Sequence, residues 1–219
     1  MERALVVPGN DPDGGRFRLN LTQGVTGPRI FRVRERADEV TMLAYIFVLI
    51  AAAFRFAPHP FAFTPVAASL LFFGSRMPRK QAWIPVLLLA VGDVLLTRFV
   101  YSYPFTSYHL ASWVFYAAMV FLGGALKKNA NVLRVLSASL VAAVSFFLVS
   151  NFAVWATVPN MYPRTWGGLE LAYIAGLPFF RNDIAGDVFF SALMFGIPAL
   201  LHAGSSARES SPQGPIAGA

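Results

Sequence analysis

The chain has 219 residues, 56% hydrophobic and 13% charged, with a mean hydropathy of +0.56. An average soluble domain is about 25% charged, so this composition excludes an ordinary water-soluble globule and places one helical domain in a bilayer. The formal charge of +7 is read as orientation signals and lipid-headgroup partners. Nucleic acid is not an expected partner, because no basic-aromatic module is present.

Cysteine is absent, which removes disulfides, thiolate catalysis and Cys-based metal sites. The three histidines, His59, His109 and His202, form no H-x-x-x-H pair. Neither a metal nor a cofactor is implied.

Residues 1–40 are rich in Gly, Pro and charge. They lack the apolar core of a secretory signal peptide and read as a disordered cytoplasmic tail. The apolar part opens at Met42, a second place where translation could begin. A first helix is expected from about Val40 to Phe56. Ala57-Pro58-His59-Pro60 then breaks it, since each proline removes a donor and pushes its predecessor out of the α region.

A second helix is expected from Pro65, with Thr64 as its cap, to Gly74 or Arg76. About a dozen residues at 1.5 Å each span roughly 18 Å, short of the ~30 Å hydrocarbon core. The apolar segment Ala57–Phe63 is therefore expected at membrane depth, covered by protein or lining a cavity. Helix 3 is expected over Gln81–Phe99, helix 4 over His109–Leu126 and helix 5 over Val132–Trp155.

The stretch Asn151–Asp187 reads as a partly buried cap. Within it Trp166, Leu169, Tyr173 and Leu177 recur at spacings of three and four, which predicts a short interfacial helix. Helix 6 is expected from Asn182, a good capping residue, to His202, followed by a disordered tail over 203–219. The expected fold is thus all-α and integral to the membrane. Six transmembrane helices occupy residues 41–202, with the interfacial helix between helices 5 and 6.

Arg76, Arg79 and Lys80 in one short loop, and Lys127, Lys128 and Arg134 in another, fall on the same side as the basic N-terminal tail when both termini are cytoplasmic. The expected location is a bacterial inner membrane, with the cap and the proline break on the outer face.

Ionisable groups within a bilayer usually face a cavity or a partner. Arg55, Asp93 and Asp187, with Asn151 beside them, lie in the outer halves of their helices. They suit either a polar pocket or an internal glue between helices. The helix start at Thr64 directs free N–H groups toward the same face. Trp155 and Asn182 complete the candidate ligand-binding set of Arg55, Thr64, Asp93, Asn151, Trp155, Asn182 and Asp187. No catalytic residue is assigned, because no hydrolase, zinc-protease or nucleotide-binding motif occurs. An Asp93/Asp187 carboxylate pair would be the route to a membrane enzyme. A structural or accessory subunit of a larger membrane complex is the further alternative. On helix 5, Ala138/Ala142 and Ser139/Ala143 are small-residue pairs that predict close helix packing.

The succession F-T-P-V-A-A at Phe63–Ala68, G-D at Gly92–Asp93, S-N-F-A-V-W at Ser150–Trp155, Y-P-R-T-W-G-G-L at Tyr162–Leu169 and L-P-F-F-R-N at Leu177–Asn182 resembles an uncharacterised family of bacterial six-helix membrane proteins. That family in turn resembles the substrate-binding S-components of energy-coupling-factor (ECF) transporters. The resemblance implies capture of a micronutrient, a small polar or vitamin-like ligand, in an outward pocket. It also implies docking on a transmembrane coupling subunit that bears ATPases. Helix 1 departs from the pattern: Ala44, Val48 and Ala52 stand where S-components typically show an Ala-x-x-x-Ala docking face.

Overall fold

The computed structural model describes residues 28–209 except 59, 61, 103 and 104. All elements among them are helical: α1 (Pro28–Phe54), α2 (Val66–Arg76), α3 (Trp83–Leu95), α4 (Tyr108–Gly123), α5 (Val132–Thr157) and α6 (Trp166–Glu209). A 3-10 turn at Arg79–Gln81 leads into α3, and a π turn over Leu96–Val100 ends it. The bundle belongs to the compact unit Ala37–Ala219.

Four helical stretches among the described residues are long and apolar enough to cross a membrane: Arg79–Val100, Tyr108–Leu126, Val132–Thr157 and Trp166–Leu200. Only 28–33% of the apolar window in each is buried, so most of each apolar surface faces outward. Exposed side chains such as Leu87, Val91, Val114, Phe121, Val141 and Phe152 form the kind of surface that a bilayer covers.

The centre is α2. Every residue from Val66 to Ser75 is buried, with Leu70, Leu71 and Phe72 fully enclosed. A helix that is apolar all round belongs inside a bundle. Its eleven residues cover roughly 16 Å at 1.5 Å each. Its closest neighbour is α4. A methyl group at Gly74 would overlap the carbonyl of Val120, and one at Gly123 would overlap that of Leu71. Backbone therefore meets backbone at this crossing, as small residues allow in membrane bundles. The far end of α2 is closed by Lys127, whose Nζ donates to the Met77 carbonyl at 2.6 Å.

Helix α5 starts where Asn131 accepts a hydrogen bond from the Arg134 N–H at 2.9 Å. Its small-residue face packs on α6: Ala138, Ser139, Ala142 and Ala143 are buried, and the Ser139 hydroxyl bonds that of Ser191 at 2.8 Å.

Several boundaries differ from expectation. The last part of the expected 1–40 tail is helical, because α1 begins at Pro28, a residue whose missing N–H has no intrahelical use at a helix start. Residues 1–27 and 210–219 lie outside the described residues, while the expected C-terminal tail is helical as far as Glu209. Thr64 does not cap α2. Pro65 holds the cap position without a side-chain bond, and its carbonyl takes the first helical N–H, that of Ser69, at 2.9 Å.

The largest difference is in the cap. The interfacial helix and helix 6 are one continuous helix, α6, of 44 residues. Thr165 accepts from the Gly168 N–H at 3.2 Å at its start. Pro178 removes only its own donor, and a long helix can absorb that loss when neighbours support it. Asn182 therefore lies inside a helix and caps nothing.

Candidate ligand-binding site

Arg55 sits in the turn just after α1, anchored by the fully buried Ala51 in the preceding turn. Its Nη2 pairs with Asp93 Oδ1 in the last turn of α3. Asp93 also accepts from Trp113 Nε1 at 3.0 Å and from the Tyr116 hydroxyl at 3.4 Å. Trp113 and Tyr116 are three residues apart on α4 and so share a face. One carboxylate is thus held by donors from two other parts of the chain. Arg55 Nη1, on the other branch of the guanidinium, is buried without a hydrogen-bond partner among the described residues.

A second polar group lies on α6. Asp183 and Asp187 are four residues apart, which brings both carboxylates to one face. Asp187 is only 2% exposed. Its Oδ2, like that of Asp183, is buried and has no hydrogen-bond partner among the described residues. Helix α6 comes close to the non-helical segment before α2, since a Cβ at Gly186 would lie 3.2 Å from the Thr64 nitrogen. Phe63 makes tilted ring contacts with Phe189 and Phe190 of the same helix, at 6.1 and 5.3 Å between centroids. The apolar segment before Thr64 is thus covered by protein at Phe63.

These groups surround two adjoining chambers. The inner one, about 150 Å³, is lined by Arg55, Thr64, Val66, Ala67, Asp183 and Asp187 among others. Val66 and Ala67 are in the first turn of α2, where N–H groups lack intrahelical acceptors. The outer chamber, about 330 Å³, is walled by Tyr108, Phe147, Met161, Tyr162, Phe179 and Phe180, with Asn151 among its polar lining. Ala62, Phe146 and Asp183 line both chambers and mark their junction. Ala62 holds a left-handed backbone, φ 63°, which an alanine adopts only at a cost.

Chemically, the inner chamber offers two carboxylate oxygens, one guanidinium N–H edge and the positive end of a short helix. Burying a polar atom without a partner costs free energy. Three such atoms, Arg55 Nη1, Asp183 Oδ2 and Asp187 Oδ2, belong to residues that line this one chamber.

The sequence-derived residues divide between site and scaffold. Arg55, Thr64 and Asp187 line the inner chamber and Asn151 the outer one, where its Nδ2 donates to the Phe147 carbonyl at 2.8 Å. Asp93 lines neither chamber, because Arg55, Trp113 and Tyr116 enclose it. An Asp93/Asp187 pair across one cavity is therefore not formed. Trp155 also lines neither; its Nε1 donates to the Pro163 carbonyl at 2.9 Å and Arg164 lies over its ring, so it pins the loop between α5 and α6. Asn182 is half-buried on α6 and lines neither chamber.

Asp183 was missed by sequence reasoning. Its four-residue spacing from Asp187 was the available signal. Tyr116 and the ring wall of Phe146, Phe147 and Phe180 gave no signal, because aromatic residues are common throughout apolar helices.

Residues 35–210 match the model of a family of unknown function (DUF6580). The chain belongs to that family. All the groups around the two chambers of this DUF6580 member lie within the matched residues. The chain matches no curated protein and no solved structure.

Proposed function

We propose that this protein is the substrate-binding membrane component of a small-molecule uptake system, holding a micronutrient-sized polar ligand in the two chambers. One observation carries the reading: Arg55 Nη1, Asp183 Oδ2 and Asp187 Oδ2 are buried and without hydrogen-bond partners among the described residues, and all three residues line one cavity. In an apolar bundle such groups are costly unless something completes them. The proposed topology is six spans in a bacterial inner membrane with both termini cytoplasmic, so that the chambers open outward. The basic loops before α3 and before α5 support that orientation.

The likeness to ECF S-components belongs to the same proposal, and with it a coupling subunit bearing ATPases. The docking face of such a partner would not be the Ala44, Val48 and Ala52 stripe of α1, since Ala44 and Val48 are already buried within the bundle and Ala52 is partly buried against its core. Transport would then consist of binding under the start of α6, followed by reorientation driven by the partner.

The test is mass spectrometry of small molecules retained after mild detergent extraction. The wild-type protein is expected to retain one compound in stoichiometric amount, and Asp187→Ala to lose it while remaining folded. A second reading, an accessory subunit whose polar residues only join helices, is favoured by the fully occupied Asp93 cluster. Unfolding of Asp187→Ala, together with a stoichiometric protein partner and no retained compound, would support that reading instead.

A further inference from the structure

We infer that the ligand is a cation with N–H donors carried on an aromatic ring: an amine or amidine whose positive group sits beside Asp183 at the chamber junction and reaches toward Asp187 in the inner chamber, with its ring in the outer chamber. This deepens the uptake reading and rests on it.

Charge argues first. Around the inner chamber, Arg55 is already matched by Asp93, which leaves the two α6 carboxyl groups without a cationic partner among the described residues. An anionic ligand would bring a negative group to two carboxyl groups that have no cation of their own. A neutral one would leave both buried oxygens to share whatever donors it carried. A cation with two or more N–H donors supplies a counter-charge and a hydrogen bond to each oxygen. Such charge-assisted bonds are about twice as strong as neutral ones.

Position argues second. The first turn of α2, the positive end of that helix, lines the inner chamber and disfavours a cation beside it. Asp183 lies at the junction of both chambers, so the favourable place is there rather than deeper. The rings nearest this junction, Phe146, Phe147 and Phe180, present π faces or edges to whatever enters. Phe147 and Phe180 lie 4.6 Å apart between centroids. Such a wall suits a flat ring and also favours a cation at its edge. The outer chamber, about 330 Å³, falls at the small end of ordinary ligand pockets of roughly 300–1,000 Å³. That size suits one or two rings.

An ammonium could come from a soluble amine or from an aminophospholipid headgroup, and the experiment separates the two. The full-length protein is placed in nanodiscs of phosphatidylglycerol alone. Benzamidine and benzylamine are titrated by calorimetry, with benzoate as the charge-reversed probe. Saturable 1:1 binding of at least one cation is expected, with no binding of benzoate. Asp187→Asn and Asp183→Asn should each weaken the cation at least tenfold. Glu170→Gln, on the exposed side of α6, should leave it unchanged. Two variants are used so that one misfolded protein does not end the test.

Adding phosphatidylethanolamine to the discs then identifies the source. Competition points to a lipid headgroup, which has no ring and overturns the aromatic class, and unchanged affinity points to a soluble amine. Benzoate binding as tightly as the cations overturns the proposal. So does cation binding unaltered in both aspartate variants, or no binding of either cation. If the cations fail but a neutral or anionic compound is retained and lost in Asp187→Ala, the uptake reading stands and the cationic class falls. If nothing of any kind is retained, both fall together.

Discussion

Asp93 and Asp187 are both buried carboxylates in apolar helices, 6% and 2% exposed, yet their surroundings are opposite. Asp93 faces a cation, an indole N–H and a phenol, so its lone pairs are largely occupied. Asp187 faces a cavity, and its Oδ2 has no partner among the described residues. Two residues of one type at similar depth therefore do different work. The occupied one joins the end of α1 to α3 and α4. The open one has an oxygen with no donor among the described residues, and burying such an atom costs free energy. Burial alone does not separate glue from site; the count of donors within reach does.

Four substitutions test that contrast. The largest loss is expected for Asp93→Ala, which leaves the Arg55 guanidinium buried without its counter-charge. Breaking a buried pair from one side costs about 3–5 kcal/mol. Thermal unfolding in detergent should show it, and the double variant Arg55→Met/Asp93→Leu should lose less than Asp93→Ala alone. A double variant as damaged as the sum of its parts would remove the pair from the glue role.

Trp113→Phe comes next. It deletes a donor 3.0 Å from a carboxylate, and a bond to a charged group contributes about 1.5–3 kcal/mol. Tyr116→Phe should cost less, about 1 kcal/mol or below, because its bond is long at 3.4 Å. Equal losses from the two α4 variants would show that Asp93 is held differently.

The smallest effect on stability is expected at the open end of the comparison. Asp187→Asn keeps the volume and removes a buried carboxyl group whose Oδ2 has no partner among the described residues. Stability should change by about 1 kcal/mol or less, in the stabilising direction, while ligand retention is lost. A destabilisation as large as that of Asp93→Ala would mean that Asp187 is also glue and that the contrast is false.

Much of the bundle was legible because apolar length and breakers are local properties. The spans expected from Gln81, His109 and Val132 agree with the helices found to within a few residues. The break between α1 and α2 follows from Pro58, Pro60 and Pro65. The small-residue face of α5 also read correctly, since Ala138, Ser139, Ala142 and Ala143 are buried. The α2–α4 crossing was not legible. Gly74 stands alone in α2 and Gly123 ends α4 beside Gly124, and nothing local to either one names the other as its neighbour. The cap was misread for a related reason. Pro178 and Asn182 carry the local marks of a helix end and a helix start, but packing on α5 keeps α6 continuous through both.

The same division holds at the site. The chain's composition and order of residues determined that a few ionisable groups would be buried in apolar helices, because those residues sit within apolar runs whatever the packing. Tertiary structure alone decided which of them would be satisfied. Trp113 and Tyr116 reach Asp93 from twenty and twenty-three residues away, and no donor comes within reach of Asp187 Oδ2 among the described residues. A hydrogen bond depends on where two helices cross, to within about half an ångström, and that distance is a property of the packed bundle rather than of either helix.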